Sequence, residues 1–225
     1  MANQCYTVLN TTADGTRTPL NDCMTSDQIS SPSGTPKRRT LLELFKSNVL
    51  VAIVTAVFFY LSLLASSLPL EYHQRETVDR AIAVLEEKGF DDEVFLLRRT
   101  AAYRSSDHWL NRFVFSENAY AATNFPVQVV TLYPDFYTKA EDDTERAMIL
   151  LHEARHMMGE SEHEAYAYVW KNRYRLGWTQ LSHGTTPTFI TISELTRENA
   201  PELFTCEQKL WSDCTELQMS QNRKR

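Results

Sequence analysis

The sequence lacks an excess of basic residues: 23 lysines and arginines stand against 29 aspartates and glutamates, a formal charge of −6 at pH 7. A nucleic-acid-binding protein needs a basic face to neutralise phosphates, so this class is excluded. Glycine and proline are also scarce, with six and eight in 225 residues, which excludes collagen-like and largely disordered chains. Because 43% of the residues are hydrophobic, the chain can bury the core of one globular domain.

Charge is missing altogether from residues 49–68, which read VLVAIVTAVFFYLSLLASSL. A helix of this length is about 30 Å long, the thickness of the hydrocarbon core of a bilayer. We therefore expect one transmembrane helix over 48–68. A buried core helix would be shorter and carry a polar stripe. A cleaved signal sequence would have an apolar region of only ~7–15 residues, although the small residues Ala65 and Ser67 keep that alternative open.

The expected orientation follows from the basic residues on the two sides of this helix. Four precede it and two follow it closely, namely Lys37, Arg38, Arg39 and Lys46 against Arg75 and Arg80. This bias predicts a cytoplasmic N-terminus and an extracellular, periplasmic or lumenal C-terminal part. Residues 1–47, rich in Ser, Thr, Asp, Gly and Pro, are predicted to be a disordered cytoplasmic tail. Residues 71–225 are predicted to form an acidic folded domain.

Hydrophobic periodicity predicts that this domain is α+β. Apolar residues at helical spacing begin at Val78 and stop before Gly89, which predicts a helix that ends at a glycine. Runs of apolar and β-branched residues favour strands at 94–103 and 125–133. Three more helices are expected, at roughly 109–120, 142–158 and 161–176.

The most informative motif is H-E-A-R-H at 152–156. Two histidines four residues apart lie on one face of a helix, where both can reach one metal ion. Glu153 is rotated by about 100° from His152, so it flanks the metal and can act as general base on a water molecule. The helix is apolar on nearly all sides, so it is expected to be buried, and buried histidines need partners. We therefore expect Zn²⁺ to be bound by His152 and His156.

The third ligand is predicted to be Glu162. Gly159 permits a turn after the motif through a positive φ. On the helix that follows, Glu162 shares its face with Tyr166 and other apolar residues, so it is expected to point inward, whereas Glu164 lies on the solvated side. His163 stays the alternative, because imidazole is the commoner ligand, although it points about 100° away from Glu162.

At these residues the chain resembles the zincin superfamily of metallopeptidases. Gly159 and Glu162 are similar to the metzincin pattern H-E-x-x-H-x-x-G-x-x-H, with Glu in place of the third His. The aromatic Tyr166, four residues after that ligand, is similar to spartan-like zincins. Arg155 departs from the family, whose members usually keep the residues between the two histidines uncharged. The resemblance covers roughly residues 125–176.

The resemblance implies a small zincin-like fold behind the transmembrane helix. Zincins place an edge strand beside the active-site helix, and an extended substrate peptide adds to that strand. The segment FPVQVVTLY at 125–133 is expected to be the edge strand.

The function implied is hydrolysis of peptide bonds in a peptide or protein substrate, by zinc-activated water with Glu153 as the catalytic base. Tyr166 is a second catalytic candidate, because its hydroxyl could donate to an oxyanion; as a buried aromatic it could equally belong to the core. Two other classes stay open. One is a membrane-anchored binding protein whose metal is structural or absent, and the other is a zinc hydrolase of a non-peptide amide.

Cysteine is scarce as well, with four residues. Cys206 and Cys214 lie in the part expected outside the cytoplasm, where an oxidising compartment would allow a disulfide. Cys5 and Cys23 lie in the predicted tail and would stay thiols.

An impermeant thiol reagent applied outside intact cells should therefore modify none of the four cysteines. Prior reduction should expose Cys206 and Cys214 alone, since the other two are inside. Mass spectrometry of the labelled protein measures both outcomes. Labelling of Cys5 or Cys23 from outside would overturn the predicted orientation.

Overall fold

The computed structural model describes residues 8–11, 17–20, 41–111, 119–205 and 215. The chain divides into two compact units, Met1–Val51 and Ala52–Arg225. The first unit contains a two-stranded antiparallel sheet of β1 (Val8–Thr11) and β2 (Arg17–Leu20). This sheet falls within the region 1–47, for which disorder stays a prediction.

The second unit is mostly helical and contains a small sheet. In chain order the remaining elements are α1 (Leu41–Ala65, which begins in the first unit), α2 (Tyr72–Glu87), α3 (Asp91–Arg99), β3 (Ala102–Arg104), β4 (Ala121–Asn124), β5 (Val129–Leu132), α4 (Pro134–Thr138), α5 (Asp143–Met157), α6 (Glu162–Leu176), α7 (Gln180–His183) and α8 (Pro187–Asn199), followed by a 3₁₀ turn at Pro201–Leu203. The chain is thus mixed α and β, as predicted.

The sheet of the second unit has the order β3-β5-β4 among the described residues. β3 runs parallel to β5 and β4 runs antiparallel to it. The prediction that 125–133 is the edge strand is therefore wrong: β5 is central, and β4 is an edge. The strand is also shorter than predicted, because residues 125–128 form a turn that contains Pro126 and the left-handed residue Gln128, at φ 57°.

The predicted strand at 94–103 is also wrong over most of its length. Residues 91–99 form helix α3, and only Ala102 and Tyr103 of the predicted stretch belong to β3. The charges explain the difference: α3 has three acidic residues in its first turn and Arg98 and Arg99 in its last turn, as the helix dipole favours. Val94 and Leu97, three residues apart, are its buried apolar face.

Helix α5 is the centre of the core. Its residues Met148, Ile149, Leu150 and Leu151 are all less than 5% exposed, so the predicted all-round burial is confirmed. Helices α2, α3 and α6 and strand β4 pack around it. The predicted helices at 78–88, 142–158 and 161–176 are all present, as α2, α5 and α6.

Two predictions lie outside the described residues. Most of the predicted helix at 109–120 falls on residues 112–118, and the predicted disulfide partners Cys206 and Cys214 lie in the 206–214 gap. Nothing in the described part of the chain bears on them.

Helix α1 is long and apolar enough to cross a membrane between Phe45 and Ala65, with a mean hydropathy of 2.3. It ends three residues before the predicted limit of 68. There the Ser66 and Ser67 hydroxyls donate to the Leu63 carbonyl, at 3.0 and 3.1 Å, which satisfies a carbonyl of the last turn.

The N-terminus of α5 is fixed by the buried carboxylate of Glu145, which is 0% exposed. This carboxylate accepts from the backbone N–H of Glu141 at 2.8 Å, from the indole of Trp178 at 3.4 Å and from the hydroxyl of Thr186. Thr186 is in turn the N-cap of α8. One side chain therefore holds together the starts of α5 and α8 and the chain after α6.

Replacement of Glu145 by Ala should lower the free energy of unfolding by about 2–3 kcal/mol, because it leaves the buried indole N–H of Trp178 without an acceptor and breaks the links to Glu141 and Thr186. The exposed Glu141 is the matched control: Glu141→Ala keeps its backbone N–H and should change stability by less than about 0.5 kcal/mol. Urea unfolding in detergent micelles measures both variants. Equal losses would contradict the role given to Glu145.

Candidate metal centre

Three side chains on two helices converge at one point. His152 and His156 project from α5 and Glu162 is the first residue of α6. The two Nε2 atoms lie 3.0 Å apart, and the Glu162 carboxylate oxygens lie 3.2 Å from His152 Nε2 and 3.3 Å from His156 Nε2. Among the described residues this is the group of His, Cys, Asp and Glu side chains that could hold a metal ion.

These distances are close to those between neighbouring ligand atoms of a tetrahedral zinc ion. With metal–nitrogen and metal–oxygen bonds of ~2.0–2.1 Å, ligand atoms in tetrahedral positions are ~3.3 Å apart. The two Nε2 atoms are 3.0 Å apart, and each faces one oxygen of Glu162: Oε2 lies 3.2 Å from His152 and Oε1 lies 3.3 Å from His156. Two imidazoles and one carboxylate are also ligand types that Zn²⁺ prefers. The chemistry and the spacing of these three side chains are therefore compatible with a zinc ion.

A tight turn between the helices brings Glu162 back to the histidines. Gly159 has a φ of 86°, the left-handed conformation that favours glycine. The carbonyl of Glu160 accepts a hydrogen bond from His156 Nδ1 at 2.9 Å. Because the carbonyl can only accept, Nδ1 carries the proton, and Nε2 of the neutral ring is left with a lone pair that faces His152 and Glu162.

The charged residue inside the motif, Arg155, points away from the metal centre. Its guanidinium binds both oxygens of Glu160, with Nε 2.8 Å from Oε2, and donates to Glu93 of α3 at 3.0 Å. The guanidinium also lies 4.0 Å above the ring of Tyr168. Arg155 therefore anchors the turn whose carbonyl orients His156.

The three side chains are electrostatically coupled. Burial disfavours the charged form of His156, but hydrogen bonds to the Glu162 carboxylate and the Glu160 carbonyl outweigh it and raise its pKa to about 9. Hydrogen bonds from His152 and His156 hold the pKa of Glu162 far below its usual range. Glu162 is therefore ionised near neutral pH, and a positive charge placed next to its carboxylate stabilises that form.

Glu153 lies beside this group as a buried carboxylate, 4% exposed. Its Oε2 atom is buried and has no hydrogen-bond partner among the described residues. A buried carboxylate oxygen without a donor is costly, so a ligand or water that donates there would stabilise the site. Glu153 is thus placed to interact with a molecule held next to the two histidines.

Two tyrosines complete the surroundings. The ring of Tyr166 packs 4.4 Å from that of His152, and burial, with the charges of Glu162 and Glu153, raises the pKa of Tyr166. Tyr133 donates to Asp107 at 2.7 Å, and burial and that hydrogen bond raise its pKa. Both phenols therefore stay protonated near neutral pH and can donate hydrogen bonds.

The site opens into a cleft of about 590 Å³. One wall includes five residues of the β4 region, Ala119 to Thr123. Successive residues of a strand point to opposite faces of a sheet, so a cleft over one face would be lined by alternate residues only. Because consecutive residues line this cleft, it lies along the edge of β4. The Glu162 side chain, 60% exposed, faces the open side.

The candidates for the third ligand lie at different distances from the two motif histidines. His163 lies away from the two motif histidines and pairs with Glu202 at 2.9 Å, both side chains being more than half exposed. Glu164 faces solvent and caps α6 by accepting from the backbone N–H of Ser161 at 2.8 Å. The other three histidines also have local partners. His73 pairs with Glu71, His108 with Asn124 and His183 with Asp142.

Two parts of the cleft were missed by the sequence analysis. Strand β4 consists of Ala-Ala-Thr-Asn, which has no strong strand signal. Helix α8 contributes Ile192, Leu195 and Asn199 to the cleft, and its sequence begins with Thr186 and Pro187, an N-cap and first-turn pair that does signal a helix start.

Comparison with protein-family models, with curated proteins and with solved structures finds no match to this chain. The assignment of the site therefore depends on its own geometry and chemistry.

The ligand set predicts an ordered effect of three substitutions on zinc affinity. Glu162→Ala removes one of three ligands and should weaken zinc binding by more than the ~10–100-fold that outer-shell changes cause. Glu164→Ala is the matched control, because this exposed glutamate lies two residues further along the same helix. It should leave zinc affinity unchanged, and His163→Ala should change zinc affinity little. Competition with a chromophoric chelator measures all three. Loss of zinc on His163→Ala with retention on Glu162→Ala would reassign the ligand.

Proposed function

We propose that this chain is a membrane-anchored, zinc-dependent peptidase with a zincin-like domain. The observation that carries the proposal is the meeting of His152, His156 and Glu162 next to the buried carboxylate of Glu153, in a cleft bounded by a strand edge. In peptide hydrolysis the three ligands would bind the metal ion, the Glu153 carboxylate would transfer a proton, and the strand edge would bind the substrate.

His152, His156 and Glu162 would hold the ion. A bound Zn²⁺ supplies Lewis acidity, which polarises a carbonyl group and makes water acidic enough to attack near neutral pH. The Nδ1–H of His156, fixed on the Glu160 carbonyl at 2.9 Å, keeps that ring oriented.

Glu153 moves the proton in this reaction. Its unpartnered Oε2 accepts a proton from the attacking water and delivers it to the nitrogen of the leaving amine, so that the C–N bond breaks without forming an amide anion. Tyr166, whose pKa burial raises, is a protonated donor that lines the same cleft as Glu153, whereas the Tyr133 hydroxyl already donates to Asp107. A phenol that reaches the oxygen of the attacked carbonyl would stabilise its developing charge.

The strand edge of β4 accounts for substrate binding. β4 pairs with β5 on one side, and no strand of the described residues pairs on the other. Its free backbone groups can bind an extended polypeptide by adding a strand to the sheet, which places the bound chain across the cleft. This mode of binding favours a peptide over a small non-peptide amide.

The open side of the site favours catalysis over a structural metal. A structural zinc is closed by four protein ligands, whereas a catalytic zinc keeps one position for water or substrate. The described residues offer three ligands, and Glu162 stands at the mouth of the cleft. Helix α1 supplies the membrane anchor, with the N-terminus in the cytoplasm and the domain outside.

Replacement of Glu153 by Gln tests the proposal. Hydrolysis of a fluorogenic peptide library should fall by at least ~10²–10⁴-fold, because the proton acceptor is lost, while zinc content stays at one per chain. Glu164→Gln, an exposed carboxylate of α6, is the matched control and should keep full activity. Full activity in Glu153→Gln would contradict the role of Glu153, and an inactive wild-type protein with bound zinc would contradict the peptidase itself.

A further inference from the structure

The end of helix α1 is hydrogen-bonded to the loop at residues 105–111. The indole Nε1 of Trp109 donates to the Ser62 hydroxyl at 3.2 Å, and the Trp109 backbone N–H donates to the Ser66 hydroxyl at 3.2 Å. The Trp109 ring also packs edge-on against Phe59, with 5.6 Å between centroids. Trp109 therefore lies against the last two turns of the apolar helix.

The apolar part of α1 is close in length to a bilayer core. Among the side chains of α1 that the structure describes, those of residues 45–62 are exposed apart from the half-buried Tyr60, and Leu63 is 0% exposed. Residues 45–62 of a helix span about 27 Å, close to the ~30 Å of membrane hydrocarbon. If lipid covers the exposed part, the hydrocarbon ends near Ser62, at the height of the Trp109 indole.

The loop has the composition of a membrane-interface contact. Trp109 and Leu110 are each 38% exposed, and the neighbouring Leu68 is 65% exposed. Tryptophan is enriched at this depth, because its ring is apolar and its N–H polar. Leu68 is joined to the loop: its N–H donates to the Ser106 hydroxyl at 2.9 Å, and its carbonyl accepts from the Ser105 N–H at 2.9 Å.

The same loop is bonded to the strand that bounds the cleft. His108, next to Trp109 in the chain, is 0% exposed and pairs with the Asn124 side chain at 2.7 Å. Asn124 is the last residue of β4 and also donates to Asn111 at 2.9 Å. Asp107 accepts from Tyr133 at 2.7 Å. The loop thus joins the end of α1 to β4 over a few consecutive residues.

We propose that Trp109, Leu110 and Leu68 form a second membrane contact beside α1, and that this contact holds β4 and its cleft close to the bilayer surface. The substrates of the peptidase would then be polypeptide segments that lie next to the membrane. The membrane contact depends only on α1 crossing the bilayer, whereas the substrate class rests on the function proposed above. Continuity with α1 favours lipid as the occupant of this surface over another protein.

Fluorescence quenching tests the membrane contact. The full chain, with its four tryptophans, is reconstituted into nanodiscs made of ordinary lipid or of lipid brominated on the upper acyl chain. Bromine should quench part of the emission, and Trp109→Phe should abolish most of that quenched part. Trp170→Phe, a change in the buried core at 4% exposure, is the matched control and should leave the quenched part intact.

A double variant keeps the test independent of the stability of Trp109→Phe. Trp109→Phe with Leu110→Trp moves the reporter by one residue and should restore quenching. Unchanged quenching in Trp109→Phe, or none in the double variant, would overturn the membrane contact.

Cleavage of tethered peptides tests the substrate class. One peptide that the protein cleaves in detergent is attached to lipid through a short spacer or through a rigid proline-rich spacer of ~30 residues, which holds it ~90 Å away. The near peptide should be cleaved at least roughly 10-fold faster in nanodiscs. Equal or faster cleavage of the far peptide would overturn the substrate class. Cleavage of neither in nanodiscs would also overturn the substrate class, whereas failure to cleave any peptide in detergent would overturn the peptidase. The quenching result decides the membrane contact in either case.

Discussion

The metal centre depends on the turn that joins α5 to α6, and that turn depends on Glu160. Its carboxylate binds Arg155, its carbonyl accepts from His156 Nδ1 at 2.9 Å, and it follows Gly159, whose φ of 86° reverses the chain. The same few atoms therefore set the direction of the His156 ring and return Glu162 to the two histidines. Without the reversal, α5 would continue and carry Glu162 beyond reach, since a helix rises ~1.5 Å per residue.

Arg155 shows how a residue that breaks a family pattern is explained by its surroundings. A charge between two metal-ligating histidines would repel a cation if it pointed at the site. Instead the guanidinium pairs with Glu93 at 3.0 Å and stacks on Tyr168, on the side of α5 that faces α3. Glu93, whose side chain is 5% exposed, belongs to the first turn of α3, so Arg155 links α5 to α3.

The sequence was sufficient for features that depend on local spacing. Helices α2, α5 and α6 follow from apolar periodicity and terminal glycines, and the meeting of His152, His156 and Glu162 follows from one helix turn and one glycine. Strand β4 and the central place of β5 depend on pairing between distant segments, which spacing does not encode. The charges at the two ends of α3 are typical of a helix, but its short apolar run is equally compatible with a strand, and this led to the wrong prediction.

The most direct measurement of the central claim is X-ray absorption at the zinc edge of the purified, zinc-loaded protein, with zinc content determined on the same sample. The account predicts one zinc per chain, bound by two imidazole nitrogens and one carboxylate oxygen at ~2.0–2.1 Å, with one further light atom from water. A protein that binds no zinc, or a spectrum with sulfur at ~2.3 Å or with more than two imidazoles, would contradict it.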